Sequence, residues 1–227
     1  RQDFAKKVSF WSVILLLVFP TSFYFGAIYT ESLFLLLSIL CIYLTRKKNF
    51  ILAGIFAAMA SATRILGLTL LPLIFVELYL YFRSGKKIAI GEKIKSFLGV
   101  AIAPAGAVLY MIYLKITTGN YLYFLAVQPG FGAGRSAKPF ILLPQVIYRY
   151  LKIFLSLPVT SMEFLNASLE FIFALIPLIL LIIFWKKMRL SYWIFTLGVL
   201  LIPTLTGTFL SMPRFALMGF LLLPLLA

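Results

Sequence analysis

Histidine is missing from this 227-residue chain, cysteine occurs once, and aspartate and glutamate together occur only six times. Without histidine there is no imidazole base, no histidine ligand for zinc and no Ser-His-Asp triad. The single Cys41 lies within an apolar run, so no disulfide can form within the chain and no cysteine metal site can be built. The few carboxylates form no visible cluster of metal ligands, and the question of a divalent metal cofactor is left open.

Charged residues are also scarce, at 12% of the chain, whereas apolar residues make up 63% and the mean hydropathy is +1.07. An ordinary globular domain is about half apolar and about a quarter charged, so the composition excludes a water-soluble fold. The apolar residues occur in blocks at 8–19, 32–44, 65–82, 97–114, 164–185 and 192–210. Several blocks reach the roughly 20 residues that cross a bilayer as a helix. Because lipid-exposed backbone must satisfy its hydrogen bonds internally, we predict an all-α fold, a polytopic transmembrane helical bundle.

The formal net charge of +15 comes from 21 basic residues, most of them in short clusters beside apolar runs. In a soluble protein such a charge would suggest nucleic acid as a partner, but here the clusters are typical of topology signals. The positive-inside rule predicts four cytoplasmic clusters: Arg1, Lys6 and Lys7; Arg46, Lys47 and Lys48; Arg83, Lys86, Lys87, Lys93 and Lys95; and Lys186, Lys187 and Arg189. The expected partner is therefore the membrane and not nucleic acid.

With these clusters inside, residues 1–227 are predicted to form a single transmembrane domain of about seven spans plus a truncated eighth. The predicted spans are 8–24, 31–45, two crossings within 50–82, 97–114, 164–185 and 192–210, and the eighth begins after Arg214. The two crossings of 50–82 should turn near Arg64, and the pieces 31–45 and 50–63 are short enough to be tilted, broken or re-entrant. Residues 117–162 are expected to stay outside or to lie along the membrane surface. Since the chain begins with Arg1 and ends within an apolar run, we expect a fragment truncated at both ends.

This threading brings several polar residues to one side of the membrane, at the outer ends of spans or in the outer segment. They are Tyr29, Glu31, Arg64, Gln128, Arg135 and Arg214. Ionisable side chains at membrane depth are costly and usually mark a functional cavity. The sequence therefore predicts a site on the extracytoplasmic face.

Three charged residues of this group lie at predicted helix ends, and each also has an ordinary structural interpretation. Glu31 is either a carboxylate at the mouth of a site or a partner of the helix dipole behind a Thr30 cap. Arg64 follows small residues that allow close helix packing, and it either binds an anion or extends to the outer headgroups. Arg214 follows Pro213 at a helix start, where it either shares a phosphate with backbone donors or anchors to headgroups.

The outer segment contains the glycine-rich stretch QPGFGAGR at residues 128–135. It follows no strand and lacks the Lys-Ser/Thr of a phosphate-binding loop, so we predict a flexible lid instead. The only acidic residues predicted on this side of the membrane are Glu31, Glu163 and Glu170. Three separated carboxylates are few for the ligands of a metal site.

Four short segments occur in the order found in one enzyme family. Residues 19–34 have the sequence FPTSFYFGAIYTESLF, 60–67 have ASATRILG, 118–139 carry Gly119, Gln128, Arg135 and Pro139, and 211–215 have SMPRF. Together they resemble the glycosylphosphatidylinositol mannosyltransferase II (class V) family and its bacterial relatives. The chain departs from the family pattern at Asn120 and Tyr121, where Asp and Pro are expected, at Phe131, near the expected Trp, and at Phe215, where Tyr is expected.

The resemblance implies a GT-C glycosyltransferase that moves a sugar, commonly mannose, from a polyprenyl-phosphate donor to a lipid-linked or other extracytoplasmic acceptor. The implied substrate-binding residues are Tyr29, Arg64, Gln128, Arg135 and Arg214, with the three arginines stabilising the departing phosphate. Glu31 has a supporting catalytic role, because the main acid of this class lies in a first outer loop that is expected upstream of Arg1. Such an enzyme is a multi-pass protein of the plasma membrane in a prokaryote, or of the endoplasmic reticulum in a eukaryote.

Two other functions fit the same composition. A polytopic transporter or lipid flippase would use membrane Arg and Glu to carry a charged substrate, and it predicts internal repeats, of which none is clear. A structural subunit of a membrane complex would use its polar residues only as contacts between helices. Acceptor-dependent release of polyprenyl phosphate separates the enzyme from both.

The predicted topology can be tested by labelling single cysteines in a variant that lacks Cys41. Cysteines at Lys47, Lys87 and Lys187 should react with an impermeant reagent only from the cytoplasmic side. Cysteines at Gln128 and Arg135 should react only from the other side. Labelling of the Lys87 and Arg135 positions from the same side would overturn the threading.

Overall fold

The computed structural model describes residues 3–85, 87–132, 134–136 and 140–227, and throughout these ranges the regular structure is helical, with no strand. The predicted all-α fold is thereby confirmed. Arg1, Lys86 and Pro139, on which parts of the sequence argument relied, lie outside the described residues. The helices are α1 (Lys6–Leu17), α2 (Glu31–Arg46), α3 (Phe50–Thr63), α4 (Leu70–Phe82), α5 (Ile90–Ile102), α6 (Ala105–Thr118), α7 (Tyr123–Ala126), α8 (Leu143–Ser156), α9 (Met162–Ile183), α10 (Leu190–Leu201), α11 (Met212–Met218) and α12 (Leu223–Leu226).

Three helical stretches among the described residues are long and apolar enough to cross a membrane: Ile65–Phe82, Ile90–Thr118 and Met162–Ile183. At about 1.5 Å of rise per residue, the 22 residues of α9 extend about 33 Å, which matches a hydrocarbon core about 30 Å thick. Phe50–Thr63 and Leu190–Thr206 are apolar but shorter. The first predicted span, 8–24, is α-helical only as far as Leu17. Pro20 lacks a backbone N–H and disfavours helix before it, which accounts for this early end.

The described residues form two compact units, each of which has its own packing. The Glu31 unit comprises Tyr24–Tyr121 and Arg189–Phe195. The Glu170 unit comprises the described residues of Arg1–Phe23, Leu122–Met188 and Thr196–Ala227.

In the Glu31 unit, α3 is the central helix and packs against α2, α5 and α6. The backbones approach so closely that a Cβ atom built on Gly99 would lie 2.1 Å from the Phe50 carbonyl oxygen, and one on Gly106 would lie 1.8 Å from that of Ala58. The close packing predicted from the small residues before Arg64 is therefore confirmed, and the backbone contacts that it permits hold the unit together.

The stretch 50–82 is interrupted where the sequence predicts a turn. Helix α3 ends at Thr63, Arg64 is extended with φ −147° and ψ 140°, and a 3-10 turn at Ile65–Thr69 leads into α4. The chain folds back so tightly that a Cβ atom on Gly67 would lie 2.3 Å from the Ser61 nitrogen. The side chain of Arg64 thus emerges from the break between two helices.

In the Glu170 unit, α9 packs against α8 and α11, and α1 packs against α12. Helix α8 lies within the predicted outer segment 117–162 and is amphipathic. Val146 and Tyr150 are buried, whereas Tyr148, Leu151 and Leu155 are exposed. An exposed apolar face beside Arg149 and Lys152 is typical of a helix that lies in a membrane interface.

The close packing of α5 on α3 leads to a stability prediction with a matched control in the same helix. Gly99→Ala should destabilise the protein by about 1–3 kcal/mol, because the new methyl group collides with the Phe50 backbone. Gly91→Ala should be neutral or stabilise by up to about 1 kcal/mol, because nothing lies within 4 Å of its Cβ position. Unfolding in mixed detergent micelles, followed by circular dichroism, measures both. Equal effects at the two positions would contradict the close approach.

Candidate functional site

In the Glu31 unit, two residues singled out by the sequence form an ion pair. Glu31 is the first residue of α2 and is fully buried, and Arg64 donates a hydrogen bond from Nη1 to Glu31 Oε1. The Arg64 side chain is only 13% exposed, so most of it lies within the unit. Removing either member of a buried pair typically costs about 3–5 kcal/mol, because the other charge is left uncompensated.

The ordinary structural interpretation of Glu31 relied on a Thr30 cap, and that cap is not formed. The Thr30 side chain makes no capping hydrogen bond, although Glu31 does occupy the first turn of α2, where a negative charge is favourable. Tyr29 is exposed, and its ring meets that of Tyr24 edge to face, with a centroid distance of 5.3 Å. The first turn of α2 thus presents an aromatic pair beside a buried carboxylate.

In the Glu170 unit, the structure reveals a hydrogen-bond network that the sequence did not predict. The Tyr150 hydroxyl donates to Glu170 Oε2 at 2.5 Å and accepts from the Phe209 N–H at 3.1 Å. It also lies 3.1 Å from Thr208 Oγ1, and the Ser211 N–H donates to Glu170 Oε1 at 3.3 Å. Burial, with the Glu170 hydrogen bond adding to it, raises the pKa of Tyr150, so the hydroxyl remains a donor at neutral pH.

Arg135 and Gln128 are brought together in the Glu170 unit. Arg135 Nη1 donates to Gln128 Oε1 at 3.2 Å, and Gln128 Nε2 donates to the Phe124 carbonyl oxygen at 2.9 Å. The guanidinium lies 5.8 Å from the Phe131 ring centroid. Burial lowers the pKa of Arg135, and the negative charge of Glu170 opposes that shift. Arg135 Nε is buried and finds no acceptor within the described part of the chain.

The described part of the glycine-rich segment is tethered to the stretch after α10. Arg149 Nη1 donates to the carbonyl oxygens of Gly134 and Gly207 at 2.9 and 3.1 Å. The backbone N–H of Ser136 donates to the carbonyl oxygen of Thr206 at 2.9 Å. Through these bonds, the segment that was predicted to be a flexible lid is held next to residues 204–207.

Arg214 lies in the first turn of α11, directly after Pro213, and is half-buried. Thr21 Oγ1 donates to the Pro213 carbonyl oxygen at 3.0 Å, which joins the FPTSF and SMPRF segments across 192 residues. Arg64 belongs to the Glu31 unit, whereas Arg135 and Arg214 belong to the Glu170 unit. A cavity shared by all three arginines therefore stays a prediction.

Glu170 and Tyr150 are the polar residues that sequence reasoning did not assign to a site. A lone carboxylate within the apolar run 164–185 was the available signal, since ionisable groups in membrane segments are usually functional. No group of three or more Cys, Asp or Glu side chains that could hold a metal ion occurs among the residues the structure describes.

No protein-family model, characterised protein or solved structure matches this chain at a significant level. Among the described residues the structure is all-helical, with three helices of membrane length, a buried carboxylate held by arginine and a partly buried one held by tyrosine.

The Tyr150 network can be tested by removing one oxygen atom. Tyr150→Phe should destabilise the Glu170 unit by about 1–3 kcal/mol, because Glu170 loses a donor and the buried Phe209 N–H loses its acceptor. Tyr148→Phe, in the same helix but 60% exposed, should change stability by less than about 0.5 kcal/mol. Amide hydrogen exchange at Phe209 measures the difference. Equal protection in the two variants would show that the hydroxyl has no structural role.

Proposed function

We propose that this chain belongs to a multi-pass GT-C glycosyltransferase that uses a polyprenyl-phosphate sugar, commonly mannose, and an extracytoplasmic lipid-linked or other acceptor. The observation that carries the proposal is the Glu31–Arg64 pair, which joins the first and second of the four family-like segments across 33 residues. The Thr21–Pro213 hydrogen bond joins the first segment to the fourth. A common site requires that segments far apart in sequence come together through polar contacts.

The proposed reaction is a displacement at the anomeric carbon of the donor sugar. The oxygen of an acceptor hydroxyl bonds to that carbon, and the bond from the carbon to the phosphate oxygen breaks. The hydroxyl proton passes to a carboxylate, and the polyprenyl phosphate leaves with the bonding electron pair. Negative charge grows on the departing phosphate, so preorganised cations beside it lower the barrier.

Arg64 is the proposed contact to the phosphate in the Glu31 unit. A guanidinium has five N–H donors, so a hydrogen bond from one nitrogen to a carboxylate is compatible with further bonds to a phosphate. Glu31 fixes the orientation of Arg64, which is a supporting role. The main acid of the family is expected outside these 227 residues, as the resemblance implies.

The Glu170 unit would supply further substrate contacts. Arg135 is oriented by Gln128 and has a buried Nε without an acceptor among the described residues, which suits it to an anionic ligand. Arg214 in the Glu170 unit is proposed to contact the donor phosphate. In the Glu31 unit, the exposed ring of Tyr29 is proposed to contact the sugar.

A lipid flippase or transporter is the second candidate, and one observation favours it. The apolar stretches 50–82 and 190–218 are each interrupted by a short 3-10 turn, at Ile65–Thr69 and Ile202–Thr206. Interrupted membrane helices are a common feature of transporter binding sites. A transporter moves the sugar lipid intact, whereas the proposed enzyme releases polyprenyl phosphate only when an acceptor is present.

The proposal predicts how conservative substitutions affect turnover in the full-length protein. Arg64→Lys keeps the charge but loses the planar donor geometry, so acceptor-dependent release of polyprenyl phosphate should slow by about tenfold or more. Glu31→Gln should slow it as well, because Arg64 loses its orienting carboxylate. Lys47→Gln, which removes an exposed charge elsewhere, should leave turnover unchanged.

Folding of each variant is checked first by unfolding in detergent, so that lost activity is not lost structure. Near-normal kinetics for Arg64→Lys, Arg135→Lys and Arg214→Lys would remove the phosphate-site assignment. Unchanged sugar lipid crossing the membrane, with no release of polyprenyl phosphate, would favour the transporter.

A further inference from the structure

A second buried carboxylate in the Glu31 unit is surrounded by more positive charge than it can balance. Glu77, on α4, is fully buried and contacts Arg46, Lys48 and Arg189. Three positive charges and one negative charge leave a net charge of +2 on this cluster, which we call the Glu77 cluster. An unbalanced charge in a partly buried setting is costly unless an anion completes it.

The hydrogen bonds of the Glu77 cluster lead to the same conclusion. Arg189 donates from Nε to Oε1 and from Nη2 to Oε2, the latter at 3.0 Å, and Ser191 Oγ donates to Oε1 at 2.7 Å. Arg46 Nη1 and Lys48 Nζ are also directed at Oε2, at 3.3 and 3.5 Å. Five donors therefore converge on a carboxylate that offers about four lone-pair sites. The two longest contacts belong to Arg46 and Lys48.

The cationic groups of the cluster lie toward solvent, with the carboxylate beneath them. The side chains of Arg46, Lys48 and Arg189 are 18%, 33% and 34% exposed, whereas Glu77 is 0% exposed. Burial lowers the pKa of Lys48, Glu77 opposes the shift, and Arg46 and Arg189 add to the lowering. The three cations thus repel one another at a place that an external ligand can approach.

The backbone at Lys48 adds an independent observation. Lys48 has φ +63°, a left-handed conformation that is unfavourable for a residue with a Cβ atom and that glycine adopts freely. Its ammonium nevertheless reaches Glu77 and lies 5.4 Å from the Tyr81 ring centroid. The strained turn therefore places a cation at the end of α2.

We propose that Arg46, Lys48 and Arg189 form a binding site for a phosphate group, with Glu77 fixing the three cations from below. The favoured source is the headgroup of an anionic lipid, because exposed tyrosines that are typical of a membrane interface lie in the same helices. Tyr43 on α2 and Tyr79 on α4 are both about half exposed. Free phosphate is the other source of the same chemistry. The site is independent of the proposed glycosyl transfer, since it shares no residue with it.

The test uses full-length protein in phosphatidylcholine nanodiscs, to which either phosphatidylglycerol or inorganic phosphate is added at constant ionic strength. Phosphatidylglycerol should raise the unfolding temperature in a saturable way. Lys48→Gln should weaken the apparent affinity by roughly tenfold. Lys47→Gln is the matched control, because Lys47 is adjacent, carries the same charge, and lies over the Tyr43 ring and not against Glu77. It should leave the affinity unchanged.

The possible outcomes distinguish a lipid headgroup from free phosphate and include results that would contradict the proposal. A saturable response to millimolar inorganic phosphate, lost in Lys48→Gln, would identify free phosphate as the ligand. Equal weakening in Lys47→Gln and Lys48→Gln, or no saturable response to either addition, would overturn the proposal. If Lys48→Gln does not fold, a photoreactive phosphatidylglycerol on the unaltered protein decides the question. Labelling near residues 46–48 and 189–191 supports the site, and labelling only elsewhere overturns it.

Discussion

The Glu31 unit depends on one constraint: a carboxylate that is buried among apolar helices must have a cationic side chain in direct contact with it. Glu31 and Glu77 are both fully buried, and each is met by arginine. Helix α2 takes part in both pairs, with an acid in its first turn and a base in its last. Its Glu31 accepts from Arg64 beyond α3, and its Arg46 donates to Glu77 on α4. The same placement matches the helix dipole at both ends, so the ion pairs fix the position of α2 along its neighbours.

The Glu170 unit holds a partly buried carboxylate by different chemistry. Glu170 accepts from a tyrosine hydroxyl and a backbone N–H, and the residues that supply these groups lie on α8 and just before α11. Arg149 adds two bonds to carbonyl oxygens of separate segments. Neutral donors hold a carboxylate less strongly than a guanidinium does, but they leave its negative charge in place. That charge is what Arg135 experiences in the same unit.

Sequence reasoning captured the features that depend on local pattern and missed those that depend on packing. Hydropathy identified the helical class and the long apolar helices, and the small residues before Arg64 indicated the close packing. The break near Arg64 was predicted from the basic clusters on both sides of 50–82. Glu31 and Arg64 were each singled out, yet their pairing was not, because it follows from how α2 meets α3. Glu77 was not assigned to a site, since its partners are 29 to 114 residues away in sequence. The amphipathic α8 lies within 117–162, which was predicted to stay outside or to lie along the membrane surface, but no helix was predicted there.

The charge balance of the two arginine centres bears on what each can bind. The Glu31–Arg64 pair is neutral, so a phosphate in its ground state gains little net attraction from it, whereas the Glu77 cluster carries +2 and attracts any phosphate. A neutral centre with a rigidly held guanidinium suits catalysis better than binding. Catalysis requires interactions that strengthen as charge develops in the transition state. A donor already oriented by Glu31 provides such an interaction without binding the ground-state phosphate tightly. Under the two proposals, the Glu77 cluster with its surplus of cations suits a resident anionic lipid, and the Glu31–Arg64 pair supplies an oriented donor for the transition state.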